Sequence, residues 1–361
     1  MTAGGRTIRR IVVLRFGGMG DILLATPAVR ALSQHFGTTE IDVIVGKGMR
    51  DALTGIPYLR RIIEFDKGGE DIRLKNFLPF LQRLRAERYD LFVNFHPSLK
   101  TITMAIASGA PRVLTFKKDQ RKQTDTGRMR HAIDDFSKEL RPLGIPSVDD
   151  RHLDFAIPPE AAARVAALLP EEFGIAANDT LLVANPGASH YVNRWPPDRF
   201  AALLDRADDT LPSLRLALIG GPGDRELAAQ VVGAATRPER IANLAGRLSI
   251  KELGALLARA NVVVTGDTGP LHIASAVGAP IVALFGPPDP DRTGPQTPGD
   301  LVVSHPDLDC IPCHKRTCRR GDIACMHDLS VDLVLAAVRR RLTAASASRF
   351  ALALPMQEAQ R

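Results

Sequence analysis

The stretch from Asn261 to Pro290 constrains the fold of this chain more than any other. Asn261-Val-Val-Val-Thr265 is a short β-branched run, Gly266-Asp-Thr-Gly-Pro-Leu-His272 is a polar, glycine-bearing turn that opens a helix, and Ile281-Val-Ala-Leu-Phe285 is a second apolar run. Short β-branched runs bounded by turn residues read as strands, and a strand that hands over to a helix before the next strand belongs to a parallel sheet. Ligands of open α/β sheets bind at the carboxyl ends of the strands. That rule places Asp267, Thr268, Gly269 and His272 at the mouth of a βα unit. A helix beginning near Gly269 offers free N–H groups and the positive end of its dipole, and Thr268 adds a hydroxyl donor, so a phosphate is the expected ligand. The same residue types also serve as plain structure, with Asp267 or Thr268 as an N-cap and His272 as a packed helix histidine.

A second unit of this kind opens the chain. Arg10-Ile-Val-Val-Leu-Arg-Phe16 predicts a first strand, Gly17-Gly-Met-Gly20 a turn, and Asp21 to Leu32 an apolar helix. Glycines let a backbone approach a ligand closely. The turn lacks the G-x-G-x-x-G spacing of a dinucleotide fingerprint, so Gly17, Gly18, Met19 and Gly20 are read as an active-site loop with Asp21 at its junction with the helix.

The βα rhythm continues through strand-like runs at Ile41–Val45, Leu59–Phe65 and Tyr89–Phe95, a helical stretch at Phe77–Glu87, and then Leu181–Asn185, Arg215–Gly220 and a helix at Ile250–Ala260. The fold class is therefore α/β. A length of 361 residues supports two domains. The boundaries expected are an N-terminal domain over 1–157, a linker helix over 158–179, a C-terminal domain over 180–342 and a loosely ordered tail over 343–361, with a last amphipathic helix at Val331–Leu342. No apolar run reaches the roughly 18 residues of a membrane span. Arg15 and the glycines interrupt the first apolar run, so a cytoplasmic location is expected.

Lys and Arg exceed Asp and Glu by 47 to 40, a net charge of +7, with basic clusters at Arg112–Arg130 (Lys117, Lys118, Arg121, Lys122, Arg128, Arg130) and Lys315–Arg320. Such charge suits an anionic partner, although charge runs are often only solvated faces. Aromatic residues make up only 5% and no nucleic-acid-binding motif is present, which points away from nucleic acid and toward a phosphorylated substrate or an acidic membrane surface.

Four blocks carry a family resemblance: Gly18-Met-Gly-Asp-Ile-Leu-Leu-Ala-Thr-Pro27; Asn185-Pro-Gly-Ala-Ser189 with Asn193-Arg-Trp-Pro196; Ile219-Gly-Gly-Pro-Gly-Asp224; and Gly266–His272 continuing to Gly286-Pro-Pro-Asp-Pro290. In this order they resemble glycosyltransferase family 9, the ADP-heptose:lipopolysaccharide heptosyltransferases. The resemblance implies a GT-B fold, with two Rossmann-like doubly wound domains facing across a cleft. It also implies inverting transfer of heptose from ADP-heptose to the lipopolysaccharide inner core, with no catalytic metal, at the inner face of the cytoplasmic membrane.

By the same resemblance the N-terminal domain binds the acceptor and Asp21 is the general base; Asp21 read by itself is equally a helix cap. Ser189, Arg194, Thr268 and the Gly269 N–H are the expected donors to the ADP diphosphate. Many relatives have Lys before the Trp-Pro pair where this chain has Arg194, and Arg also binds phosphate, with different reach. Asp267 and His272 are expected at the sugar hydroxyls or diphosphate, Asp224 or Glu226 at the ribose, and Leu248 at the adenine, while Trp195 is expected in the core. Relatives with another donor or acceptor, such as a protein, and a non-catalytic nucleotide-sugar-binding module share these features.

All four cysteines fall in one segment, Cys310-x-x-Cys313-x4-Cys318-x6-Cys325. Close cysteines in a cytosolic chain suggest metal or redox chemistry before disulfides. A structural zinc or iron, a redox-sensitive pair and unbridged thiols all fit this spacing, with His314 or His327 as substitute ligands. A similar cysteine-rich stretch occurs in lipopolysaccharide heptosyltransferases of the second-heptose type.

Overall fold

The computed structural model describes residues 2, 3, 6–117, 128–210 and 213–353, and the chain divides into two compact units, Met1–Pro158 and Pro159–Arg361. The first unit is built on five parallel strands: β1 (Ile11–Leu14), β2 (Ile41–Gly46), β3 (Leu59–Phe65), β4 (Leu91–Asn94) and β5 (Arg112–Thr115), in the spatial order β3-β2-β1-β4-β5. The four residues of β1 are wholly buried. A strand covered on both faces needs no polar alternation, and each such side chain gains about 1.5–3 kcal/mol on leaving water.

The second unit repeats the plan with six parallel strands: β6 (Thr180–Asn185), β7 (Leu214–Leu218), β8 (Ile241–Asn243), β9 (Val262–Gly266), β10 (Ile281–Phe285) and β11 (Leu301–Ser304). Their order is β8-β7-β6-β9-β10-β11. In both sheets the first strand of the unit lies beside the fourth, and there the direction of winding reverses. The crevice at such a switch point is where open α/β sheets take ligands.

Several elements differ from expectation for local reasons. The single helix expected over Asp21–Leu32 is two, α1 (Met19–Leu23) and α2 (Thr26–Phe36). Pro27 has no N–H and sits in the first turn of α2, where none is needed. The Thr26 hydroxyl donates to the Leu23 carbonyl at 2.7 Å, satisfying an acceptor left by the break. The helix expected at Phe77–Glu87 begins earlier, as α3 (Leu74–Ala86) with Pro79 inside it, and packs beside α4 (Leu99–Ser108).

The stretch expected as a linker contains α5 (Pro159–Phe173), which packs on α6 (Ile250–Arg259) within the second unit. The last helix, α8, follows α7 (Gly269–Ala276) and runs over Val331–Ala353, past the expected end at Leu342. Trp195 is 1% exposed, its indole edge-on to Phe200 and its Nε1–H donating to the Leu329 carbonyl at 3.0 Å. Among the described residues no helix is long and apolar enough to cross a membrane.

Candidate active site

In the first unit, the loop leaving β1 carries Gly17 and the N-cap Gly18, whereas Met19 and Gly20, expected in that loop, already belong to α1, whose first turn holds Asp21. One carboxylate oxygen accepts from the Gly18 N–H at 3.1 Å and the other from Arg15 Nη2 at 2.5 Å. The capping contact expected as an alternative role for Asp21 is thus present. It does not exhaust the group, because an ionised carboxylate offers about four lone-pair positions and the Asp21 side chain is 48% exposed. Gly17 is required by close approach, since a Cβ there would meet Asp21 Oδ2 at 2.5 Å. Arg15 also donates from Nη1 to the Phe95 carbonyl at 3.1 Å and lies over the Phe136 ring at 5.1 Å, so it ties the β1 loop to the β4 loop across the switch point. His96, in the β4 loop, packs on Phe16. Burial, and then the Arg15 charge, hold it below the usual histidine range and keep it neutral near pH 7.

The second unit closes its switch point in the same way with a different residue. Asn185 is 2% exposed at the end of β6, and its amide donates to the Thr265 hydroxyl at 3.0 Å, the Thr268 hydroxyl at 3.1 Å and the Gly187 carbonyl at 3.2 Å. Thr268 is the N-cap of α7, yet its hydroxyl makes no capping bond. The first turn of α7, including the Gly269 N–H, therefore keeps donors for an anion. Asp267 accepts from the Thr293 hydroxyl at 3.1 Å and lies 3.5 Å from His272 Nε2, which is buried.

Asp224 accepts from the Gly221 N–H at 2.9 Å, and its carboxyl group lies so close over Gly187 that a Cβ there would meet it at 2.8 Å. Arg194 donates from Nε and Nη2 to the Ala188 carbonyl at 3.2 and 3.1 Å, so its contact in the structure is with its own turn, while Ser189 is exposed beside it. Leu248 is half-buried just after β8, and Glu226 is exposed in the first turn of the helix Arg225–Ala234. The second unit thus gathers Asp267, Thr268, Gly269 and His272 after β9, Ser189 and Arg194 after β6, and Asp224 after β7, all at the carboxyl end of one sheet.

The family model described as glycosyltransferase family 9 (heptosyltransferase) matches residues 77–324, more than half of the chain. The chain belongs to glycosyltransferase family 9. Lipopolysaccharide heptosyltransferase 3 of Escherichia coli is 27% identical over 285 residues, covering 75% of this chain and 81% of the relative. A family 9 glycosyltransferase from Veillonella parvula superposes with a TM-score of 0.80 at 24% identity, over 93% of this chain and 98% of that one. The E. coli ADP-heptose LPS heptosyltransferase II superposes with a TM-score of 0.72 at 19% identity, over 93% and 99%. Two parallel sheets flanked by helices, matched over nearly the whole length, make this a GT-B glycosyltransferase of α/β class.

Sequence reasoning on this family 9 chain missed Arg15, His96, Asn185 and Thr293. Arg15 and Asn185 carried a signal, being polar residues at the carboxyl ends of apolar strands; His96 and Thr293 carried none. Of the first basic cluster, Lys118, Arg121 and Lys122 lie outside the described residues. Arg130 pairs with the buried Asp135 at 3.3 Å, and Lys117 is exposed. The four cysteines line a cavity of about 300 Å³ and form no disulfide. Backbone N–H groups of Ile323, Arg320 and Gly321 hold the Cys318 thiol below the usual range, while burial and the neighbouring sulfurs push Cys325 up to about 11. Among the described residues no group of three or more His, Cys, Asp or Glu side chains is arranged to hold a metal ion. A larger cavity, about 750 Å³, runs along the edge strand β3. Its charged groups largely satisfy one another: Arg60 and Arg61 grip Asp42 and Glu87, which makes it a poorer site for chemistry than the switch points.

Proposed function

We propose that this glycosyltransferase moves heptose from ADP-heptose to the inner core of lipopolysaccharide with inversion at the anomeric carbon. The observation that carries the reading is the Asp21 carboxylate, oriented by Arg15 and Gly18 at the carboxyl end of β1 and still half exposed. A base in this position takes the proton of the acceptor hydroxyl as its oxygen bonds to the anomeric carbon. The bond from that carbon to the phosphate oxygen breaks on the opposite side, and ADP leaves with the electron pair. Ser189, Arg194, the Thr268 hydroxyl and the Gly269 N–H offset the charge that develops on the diphosphate. Asp267 and His272 take the sugar hydroxyls or the diphosphate, Asp224 or Glu226 the ribose, and the backbone near Leu248 the adenine.

In this reading the first unit receives the acceptor, and the cations between Arg112 and Arg130 meet its phosphates or carboxylates. The enzyme works in the cytoplasm at the inner face of the membrane and uses no catalytic metal, so turnover survives chelation. The testing experiment follows ADP release and acceptor mass on truncated core acceptors with ADP-heptose, for wild type and Asp21→Ala. Transfer that vanishes in the variant supports donor class and base together. Donor binding without transfer to any core acceptor redirects the search to a protein or another glycan, and no donor binding overturns the reading.

The cavity shared by Cys310, Cys313, Cys318 and Cys325 favours a second, separate reading, a structural zinc or iron away from the transfer chemistry. Four thiols are suitable donor atoms and the three N–H groups on Cys318 suit a thiolate ligand, but among the described residues the side chains are not gathered around one point, so an ion would have to draw them together. Metal analysis of protein purified without added metal decides it, and a content below about a tenth of an equivalent excludes the site.

A further inference from the structure

Helices α3 and α4 pack side by side on one face of the first sheet, burying Phe80 and Leu84 from the one and Met104 and Ala105 from the other. Their outer faces are unusual for a water-exposed surface. Leu99 is 84% exposed, Ile106 73%, Leu74 70% and Leu78 50%, and Ile102 is exposed between the first two. Leu99, Ile102 and Ile106 follow one another at helical spacing, as do Leu74 and Leu78, so each helix presents a continuous apolar stripe. Scattered exposed leucines need no explanation, but a contiguous patch marks an interaction site.

The charge around the patch identifies its partner. From Ile72 to Ala86 and from His96 to Lys117 there is no Asp or Glu, in a chain that has 40 of them. The helices themselves carry exposed Lys75, Arg83, Arg85 and Lys100. The nearest acids flank α3 and are engaged: before it Glu70 pairs with Arg73 and Asp71 accepts from the Asp66 N–H, and after it Glu87 pairs with Arg60 and Arg61. Apolar side chains among cations, with no carboxylate, match the interfacial layer of an anionic bilayer, where the apolar groups enter the acyl boundary and the cations meet lipid phosphates. Topology also aims the patch. Each helix starts at the carboxyl end of the strand before it, so Leu74 and Leu99, the first residues of α3 and α4, lie at the same end of the sheet as Asp21.

We infer that the outer face of α3 and α4, centred on Leu74, Leu78, Leu99 and Ile106, is a docking surface for anionic phospholipid membrane that brings the Asp21 end of the first unit to a lipid-borne acceptor. This deepens the membrane contact in the proposed function and rests on no step of the transfer chemistry. The test is co-sedimentation of the full chain with vesicles of phosphatidylglycerol and phosphatidylethanolamine, and with phosphatidylcholine vesicles alone. Wild type is expected on the anionic vesicles, at least tenfold more than on the neutral ones, and released by high salt. Leu99→Ser/Ile106→Ser is expected to lose binding about tenfold or more while keeping its melting temperature and its turnover on a water-soluble truncated acceptor. Leu74→Ser/Leu78→Ser repeats the test should the first pair disturb folding, and Leu333→Ser in the second unit is the control. Wild type that transfers sugar but ignores vesicles overturns the docking surface and leaves the transferase reading standing. Wild type and both double variants binding equally also overturns it, as does a patch buried by self-association in gel filtration.

Discussion

The two units contain the same five-residue loop pattern, Gly17-Gly-Met-Gly-Asp21 in the first and Gly220-Gly-Pro-Gly-Asp224 in the second. Each follows an apolar parallel strand and leads into a helical turn, and in each the aspartate accepts the N–H of the glycine three residues before it, at 3.1 and 2.9 Å. Local geometry is therefore shared, and it is a capping geometry. The surroundings differ. Asp21 follows the switch-point strand, stands half exposed in the first turn of α1 and pairs with Arg15, which ties this turn to the neighbouring strand. Asp224 follows the next strand out and lies over Gly187, with no ion-pair partner among the described residues. A cap alone assigns neither residue a role; the roles proposed for them, a base for Asp21 and a ribose contact for Asp224, rest on position at or beside the switch point.

The sharpest way to break this comparison is to exchange each carboxylate for its amide, which keeps an oxygen for the capping bond. Asp21→Asn is expected to lower kcat by about 10²–10⁴ with an unchanged melting temperature, whereas Asp224→Asn raises the donor KM and leaves kcat within about threefold. Equal losses of kcat, measured by ADP release, end the distinction. A smaller effect is expected at the diphosphate, where Arg194→Lys keeps the charge and loses the planar fork, lowering kcat by about tenfold.

Gly187→Ala sharpens the second half of the comparison, since its Cβ would meet the Asp224 carboxyl group at 2.8 Å. A donor KM raised by roughly fivefold to tenfold is expected, against almost none for Gly223→Ala, where a Cβ finds open space. ADP affinity measured by calorimetry checks both.

The smallest effect lies in pH. His96 has its folded pKa below the ordinary value, from burial first and the Arg15 charge second, so its neutral form contributes stability above about pH 6.5 that is lost as pH falls through the lowered folded value. His96→Asn should flatten the melting temperature between about pH 5 and 7, and an unaltered slope rules the histidine out as its cause.

Much of this was legible in the residues. The β-branched runs at Val262–Gly266 and Ile11–Leu14 are too short and too apolar for anything but buried parallel strands, and glycine-rich turns directly after them place Asp21 and Asp267 at carboxyl ends. The lone Trp195 read correctly as core. The division of one expected helix into α1 and α2 was legible in principle, because Pro27 forbids a continuous ladder of N–H bonds. The extent of α3 was not, since Leu74 gains its place from the start of the helix and buries little of itself.

What the sequence by itself determined is the class of fold, the family and the ends of the strands where chemistry gathers, because these depend on local periodicity and on turn residues within a few positions of each other. Tertiary structure alone decided which groups meet. Asn185 reaches Thr265 and Thr268 across about 80 positions of chain, and Arg15 links Asp21 to Phe95 across 80 more of its own. Sheet order is set by the burial of whole faces, and only that order makes the first and fourth strands of each unit neighbours.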